Sequence, residues 1–336
     1  MMYDVTIALP VYNAERHLYD TMQSALAQDY RSIEFLILDD CGTDGSIDII
    51  HQLQQTHPRG KDIRIVSQEF NKGVGAARNR ILKEASGRFL YFLDADDIIK
   101  PNTISLMMSA AKKYDAEVVL ASHERIELYH EEPKSILYQF PFKVFSKRHM
   151  FATYAFSRYG ALNANIWNVL IDMRLVRQNR LRFVNSNFWE DMEFKYEIVT
   201  HVVRAVLLSD VTYSYMCREN TLSNFQKREI IDKDEVFRNV ATMDVLKGRY
   251  EYVLWKPYFT HWLQFVLDTD FFIISDVLKH RLLIQPSISD KELLSFLYSP
   301  LSLYQTLIHG NMRIWFYKFL TILPARLAVS IISKKH

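Results

Sequence analysis

Cysteine is almost absent from this chain. Cys41 and Cys217 are the only two among 336 residues, too few for a disulfide framework or a Cys-x-x-Cys metal site, and they fit a reducing compartment. An excess of charge of one sign is missing as well. Forty-one basic residues stand against 39 acidic ones, so nothing in the total marks a nucleic-acid partner. Long apolar runs are lacking: the longest stretch without Asp, Glu, Lys or Arg, Leu293 to Met312, is interrupted by Ser, Pro, Gln, His, Gly and Asn, which makes a poor transmembrane helix. The first expected strand begins within a few residues of Met1, leaving no room for a signal peptide and predicting a cytoplasmic protein. Neither GxGxxG nor a Walker lysine motif occurs, so both glycine-rich nucleotide fingerprints are excluded. There are no internal repeats and no low-complexity tracts.

What is present is core: 49% of the residues are hydrophobic, enough for one large domain or two ordinary ones. Apolar, β-branched runs at Val5–Leu9, Ile33–Leu38, Ile63–Val66, Phe89–Leu93 and Val118–Ala121 read as strands. Segments with helical apolar spacing, Arg16–Leu26, Ser46–Gln54, Val74–Ala85 and Asn102–Tyr114, lie between them. Such alternation predicts a doubly wound, mostly parallel α/β sheet with helices on both faces. From Glu124 to about Phe145 a charged and aromatic stretch with Pro133 and Pro141 predicts irregular structure. Ser146–Ser223 returns to helix, helix and strand, and the remainder reads as helical. The expected organisation is a domain over 1–223, divided near residue 122 into two halves, followed by a helical region over 224–336.

Polar motifs sit at four successive strand ends. They are Pro10-Val-Tyr12-Asn13, Asp39-Asp40 with Asp44 and Ser46, Asn71-Lys-Gly73-Val-Gly75 with Arg78-Asn79, and Asp94-Ala95-Asp96-Asp97. Parallel strands share one carboxyl edge, where α/β sheets place their ligands. The acids after Leu93 repel one another unless a cation offsets them, and all-oxygen ligands suit Mg²⁺ or Mn²⁺. Helix capping by the same acids is the competing reading. Tyr12 has the shape to stack on a base, Asp40 to accept from a pyrimidine N–H, and Arg78 to pair with a phosphate. Gly73 and Gly75 allow close backbone approach. Each motif has an ordinary alternative as a turn, cap or surface residue, and their coincidence at four strand ends favours a site.

These motifs resemble those of glycosyltransferase family 2, enzymes of the GT-A fold: P-x-Y-N, DD-x-x-x-D-x-S, N-x-G-x-x-x-A-R-N and D-x-D-D match in order and spacing across about residues 4–122. The resemblance continues more weakly through Trp167-Asn168, Leu170, Arg177 and Leu181-Arg182-Phe183, then Phe188-Trp189-Glu190-Asp191, then Tyr213, Tyr215, Arg218, Asn220, Thr221 and Ser223. It implies inverting, metal-dependent transfer of a hexosyl or N-acetylhexosaminyl unit from a nucleotide diphosphate sugar, usually UDP-linked, to a saccharide or lipid-linked saccharide. Asp191 is the implied general base, with Glu190 beside it. Pro10, Tyr12, Asn13, Asp40, Asn71, Gly73, Arg78, Asp94, Ala95, Asp96 and Arg218 form the implied donor site, and Asp96 with Asp94 the implied metal site for Mn²⁺ or Mg²⁺. Val169 and Thr221 stand where many relatives carry Lys and Ser, which touches contacts to diphosphate or acceptor. The QxxRW motif of processive relatives is missing, so one sugar per event is expected. A first-turn helix acid is the competing reading of Glu190-Asp191.

After Glu292 the chain has Arg313, Lys318, Arg326, Lys334 and Lys335 and no acid, interleaved with aromatic and aliphatic residues. Residues 311–336 therefore predict either an interfacial helix on anionic lipid, broken near Pro324, or a helix packed on protein. The first places the protein peripherally on the cytoplasmic face of the plasma membrane. Two rival functions share the motifs. A sugar-1-phosphate nucleotidyltransferase needs a Gly-rich basic loop where Pro10-Val-Tyr12-Asn13 stands, and a silent nucleotide-sugar binder or scaffold would bind without turnover.

Overall fold

The computed structural model describes residues 3–130, 132–158, 165–186, 189–218 and 229–334. These form two compact units, one of Met1–Phe151 with Asn165–Thr221, the other of Ala152–Ala164 with Leu222–His336. The first is built on a ten-stranded sheet whose main path runs β3-β2-β1-β4-β9-β6-β10-β5. Its strands are β1 (Val5–Val11), β2 (Ile33–Asp39), β3 (Ile63–Ser67), β4 (Phe89–Phe92), β5 (Ile98–Ile99), β6 (Val118–Glu127), β7 (Lys134–Tyr138), β8 (Lys143–Phe145), β9 (Val169–Asp172) and β10 (Ala205–Cys217).

The four strands on the β3 side are parallel, as the apolar runs predict. Because they are covered on both faces, β1 and β2 are buried almost throughout, the pattern of an interior parallel sheet. The polar exception in β2, Glu34, is fully partnered by the Thr6 hydroxyl at 2.6 Å, the Ser86 N–H at 2.9 Å and Arg64 Nε at 2.8 Å. Helices α1 (Glu15–Leu26), α2 (Ser46–Thr56), α3 (Val74–Glu84) and α4 (Thr103–Lys113) follow the strands within a residue or two of expectation. Leu18, Met22, Ala25 and Leu26 form the buried stripe of α1. Asp44 binds the start of two helices at once, accepting the Glu15 N–H at 2.9 Å and the Ser46 N–H at 3.1 Å.

The other half of the sheet is mixed. β9 lies antiparallel between β4 and β6, whereas β6 and β10 run parallel to each other. The expectation of irregular structure from Glu124 to Phe145 is overturned. β6 continues to Glu127, and β7 and β8 pair antiparallel with β6 and β10. Pro133 and Pro141 flank β7 instead of interrupting it, and β7 is exposed along most of its length, as suits a charged strand outside the core. Most of α5 (Met150–Arg158) belongs to the second unit, whereas helices α6 (Met173–Gln178) and α7 (Glu190–His201) complete the connections of this one, α7 beginning two residues earlier than its apolar spacing suggests.

The second unit is helical: α8 (Lys233–Gly248), α9 (Tyr250–Val253), α10 (Phe259–Lys279), α11 (Asp290–Ser295), α12 (Leu303–His309), α13 (Met312–Ile322) and α14 (Ala325–Ser333). One short parallel pair, β11 (Ile231–Asp232) with β12 (Ile284–Gln285), accompanies them. Its core includes Val240, Met243, Trp262, Leu263 and Leu267. Among the described residues, no helix is long and apolar enough to cross a membrane.

Candidate active site

The parallel register brings the loops after β1, β2, β3 and β4 to one sheet edge, and hydrogen bonds interlock them. Asn13, in the left-handed region at φ 49°, accepts the Thr43 N–H at 2.8 Å through its side-chain oxygen. Asp40 is buried, and its carboxylate accepts Gln68 Nε2 at 2.5 Å, the Lys72 N–H at 2.9 Å and the Gly73 N–H at 3.1 Å. Burial pushes its pKa up while those donors pull it back. A carboxylate has about four lone-pair directions, so Asp40 first shapes the loop after β3 and keeps little acceptor capacity for a ligand. Asn71 receives the same Gly73 N–H at 3.0 Å, and Gly73 itself, at φ 84°, holds a conformation that side chains resist. Pro10 is partly exposed between buried Leu9 and Val11, and Tyr12 is 51% exposed, a ring free of the core at the carboxyl edge of the sheet.

The acidic box divides into distinct environments. Asp97 is fully buried, accepts the Tyr213 hydroxyl at 2.6 Å and the Met216 N–H at 2.8 Å, and is pushed well up by burial and by its acidic neighbours. It fastens the box to β10. The Ala95 carbonyl accepts the Thr21 hydroxyl at 3.1 Å. Asp94 and Asp96 keep partly exposed carboxylates. Arg218 donates to the Asp96 carbonyl at 2.8 Å and lies 3.5 Å from its carboxylate. Burial, then repulsion from Asp94, raises Asp96 to about 6 despite Arg218.

Arg78 joins this box to α7. It is 5% exposed, with Nη1 2.5 Å from Glu190 Oε1 and Nη2 3.4 Å from Asp94 Oδ1. Glu190 is buried, pushed up to about 7 by desolvation and by Asp191, with Arg78 opposing. Asp191 is partly exposed and accepts its neighbour's N–H, that of Met192, at 2.8 Å. Its pKa is raised by burial and lowered by Arg78 and by Lys195. Thus the two acids part company: Glu190 is held by Arg78, and Asp191 retains access to solvent.

Several residues take structural roles not expected from the sequence, Gly75 among them. Asn79 forms a two-way clamp on the Phe183 backbone, donating to its carbonyl at 2.8 Å and accepting its N–H at 3.0 Å. Any side chain on Gly75 would collide with the Val184 carbonyl at 2.3 Å, so the glycine lets the 183–186 segment rest on α3. The motif on α3 therefore positions the segment leading into α7. Phe183 is sandwiched by Phe194 at 3.9 Å and meets Phe92 edge-on at 5.7 Å. Lys195, buried one turn after Asp191, donates to the Asn165 carbonyl at 2.8 Å, and desolvation lowers it to about 7. Its spacing of four from Asp191 on a helix was the available signal. Asn168 bonds the Ala121 and Ser122 carbonyls, the Tyr91 hydroxyl and the Thr212 hydroxyl, and Trp167 stacks on Tyr213 at 4.4 Å. Arg177 reaches the Ala85 carbonyl at 3.3 Å. The motif residues Phe188, Asn220, Thr221 and Ser223 lie outside the described residues.

The chain matches the sequence profile described as "Glycosyl transferase family 2" over residues 6–177, just over half its length. GlyG, a glycosyltransferase of Streptococcus pneumoniae, is 23% identical over 252 residues, covering 73% of this chain and 81% of GlyG. GlyA of the same species is 26% identical over 65% of this chain, which spans only 31% of GlyA's length. WfgD of Escherichia coli, named as a UDP-Glc:α-D-GlcNAc-diphosphoundecaprenol β-1,3-glucosyltransferase, is 34% identical over 37% of this chain and 47% of its own. The structure of Staphylococcus aureus TarS 1–349 in complex with UDP-GlcNAc superposes with a TM-score of 0.69 at 16% identity, covering 98% of this chain and 89% of that one. That likeness is one of fold, the GT-A arrangement with a helical C-terminal region.

Proposed function

This chain belongs to glycosyltransferase family 2, and from that premise we propose that it transfers one sugar, with inversion, from a UDP-linked donor to a hydroxyl of a saccharide or lipid-linked saccharide in surface-glycan biosynthesis. The observation that carries the reading is the Arg78 bridge, which sets the acidic box of the donor loops beside the paired acids of α7. Leaving group and base must flank one anomeric carbon, and here the residues suited to each share a single guanidinium. The names of WfgD and of the TarS complex support a UDP-sugar and a lipid-linked acceptor.

In the proposed reaction, Asp191 takes the proton of the acceptor hydroxyl as its oxygen attacks C1 of the sugar. The bond from C1 to the diphosphate oxygen breaks, and its electron pair leaves with the nucleoside diphosphate. A sugar hydroxyl is a weak nucleophile, so a positioned base contributes about 10²–10⁴ in rate. Tyr12 stacks on the base, and the loop that Asp40 organises approaches the ribose and phosphates. Among the described residues no three His, Cys, Asp or Glu side chains converge as a metal cage. Asp94 and Asp96 nevertheless suit a divalent ion shared with a diphosphate, since both are partly exposed carboxylates that repel one another. When bound there, Mn²⁺ or Mg²⁺ would neutralise charge on the leaving diphosphate. Asp97 is committed to β10 and takes no part. The proposed location is the cytoplasmic side of a membrane carrying the acceptor.

A panel of nucleotide sugars tested by thermal shift, with Mn²⁺ and with EDTA, examines this reading through ligand linkage. UDP-sugars are expected to raise Tm more with the metal, and Asp96→Ala to remove the difference. Equal stabilisation in both conditions refutes the metal role. Binding without transfer to any saccharide or polyprenyl-linked acceptor would leave a silent binder.

A further inference from the structure

In the second unit, the apolar residues near the C-terminus separate into two populations. Ile314, Tyr317 and Leu320 of α13, with Ala328, Val329 and Ile332 of α14, are buried. The apolar residues of α12 are turned outward instead: Leu303 is 59% exposed, Tyr304 71%, Leu307 64% and Ile308 56%, whereas Thr306 faces inward. Positions 303, 304, 307 and 308 make one continuous stripe on a helix. Gly310 and Asn311 link this helix to α13, on which Met312, Trp315, Phe319 and Ile322 are also exposed. Trp255, 80% exposed, packs edge-on against His309 at the end of α12 at 5.2 Å. Single exposed apolar side chains are ordinary, but two consecutive helices each with such a stripe are not.

We propose that the outward face of α12 and α13 docks on an anionic lipid bilayer, the Leu303, Tyr304, Leu307 and Ile308 stripe entering the boundary between headgroups and acyl chains. The choice of lipid rests in part on the proposed lipid-linked acceptor. Independent of that reading, charge argues for the same occupant. From Leu293 to Lys334 the chain carries Arg313, Lys318, Arg326 and Lys334 and no carboxylate. Arg326 and Lys334 are exposed, while Arg313 is paired with Asp268 at 2.7 Å and Lys318 donates to the Leu301 carbonyl at 2.9 Å. The exposed cations Arg326 and Lys334, on α14 and at its end, follow the stripe in the chain, and phosphatidylglycerol complements them where the same basic segment of a second copy would not. Tyr304, Trp315 and Trp255 combine an apolar ring with a polar tip, the residues favoured at headgroup depth. No described helix can span a bilayer, so the element lies on the surface.

Flotation of the full chain with phosphatidylglycerol–phosphatidylcholine vesicles at low salt tests the proposal. The wild type is expected to float with these vesicles and much less with phosphatidylcholine alone. Leu307→Glu with Ile308→Glu should weaken binding at least about tenfold, since two apolar side chains leave the bilayer. Arg326→Glu with Lys334→Glu should abolish the preference for the anionic lipid. All variants should keep the UDP-induced rise in Tm, so a failure here stays separate from a failure of donor binding. A wild type that remains unbound to both vesicle types overturns the proposal. So does a wild-type dimer in light scattering that the Leu307/Ile308 variant converts to monomer, which would make the face a contact between copies.

Discussion

Arg78 Nη1 and Glu190 Oε1 lie 2.5 Å apart with both side chains buried, 112 residues apart in sequence. The same guanidinium touches Asp94. An arginine expected on sequence grounds to face a phosphate is therefore the link between the acidic loop after β4 and the first turn of α7.

Breaking that link should cost stability. Removing one member of a buried ion pair strands the other, at about 3–5 kcal/mol. Arg78→Met is expected to lower the urea midpoint accordingly, and Glu190→Gln added to it to recover part of the loss. Strictly additive losses in that double-mutant cycle would show that the two residues are not coupled.

Asp191→Asn keeps size and hydrogen bonding but cannot take a proton. Transfer should fall by about 10²–10⁴ with UDP-sugar affinity and Tm near wild type. Full activity in this variant would reduce Asp191 to a helix-start acid, with Glu190 next in line.

Lys195 is one of the two cations that lower the Asp191 pKa. Lys195→Met removes that pull, so the acid limb of the kcat/KM profile should move to higher pH. Tm should hold or rise, because a buried ammonium is costly to desolvate. An unmoved acid limb would mean that Lys195 serves only the Asn165 carbonyl.

His123 is buried between a stacked Tyr138 at 4.9 Å and an edge-on Trp167 at 4.8 Å. Desolvation, then the charge of Lys195, lowers it to about 4 from 6.5. The unfolded chain thus takes up this proton first as pH falls, and stability is lost from pH 6.5 down through about 4, by about 3 kcal/mol in all. His123→Phe should flatten that part of the stability profile; an unchanged slope would assign the loss to other groups.

The parallel half of the sheet was legible because each of its strands is a single apolar run ending in polar residues, and the four motif loops follow from that register. β9 was not: Val169–Asp172 offers four residues, too few for periodicity to distinguish from a helix fragment, and its antiparallel place between β4 and β6 depends on distant partners. β7 was hidden by its own exposure, since a strand with no buried face has no alternation to read. Within the site, residue types and spacing pointed to Asp191 and to the acidic box. They were silent on which acid Arg78 holds and on Asn79 as a clamp, because those facts arise from contacts across about a hundred residues of chain, whereas Lys195, four residues after Asp191 on one helix, was within reach of the spacing.

The Asn79–Phe183 clamp spans 104 residues, and loops of that length close late compared with the local pairing of successive βα units. The loops after β1 to β4 can therefore take shape in a growing chain before α7 has been made, and the start of α7 is fixed against α3 only once the segment around Phe183 has been added.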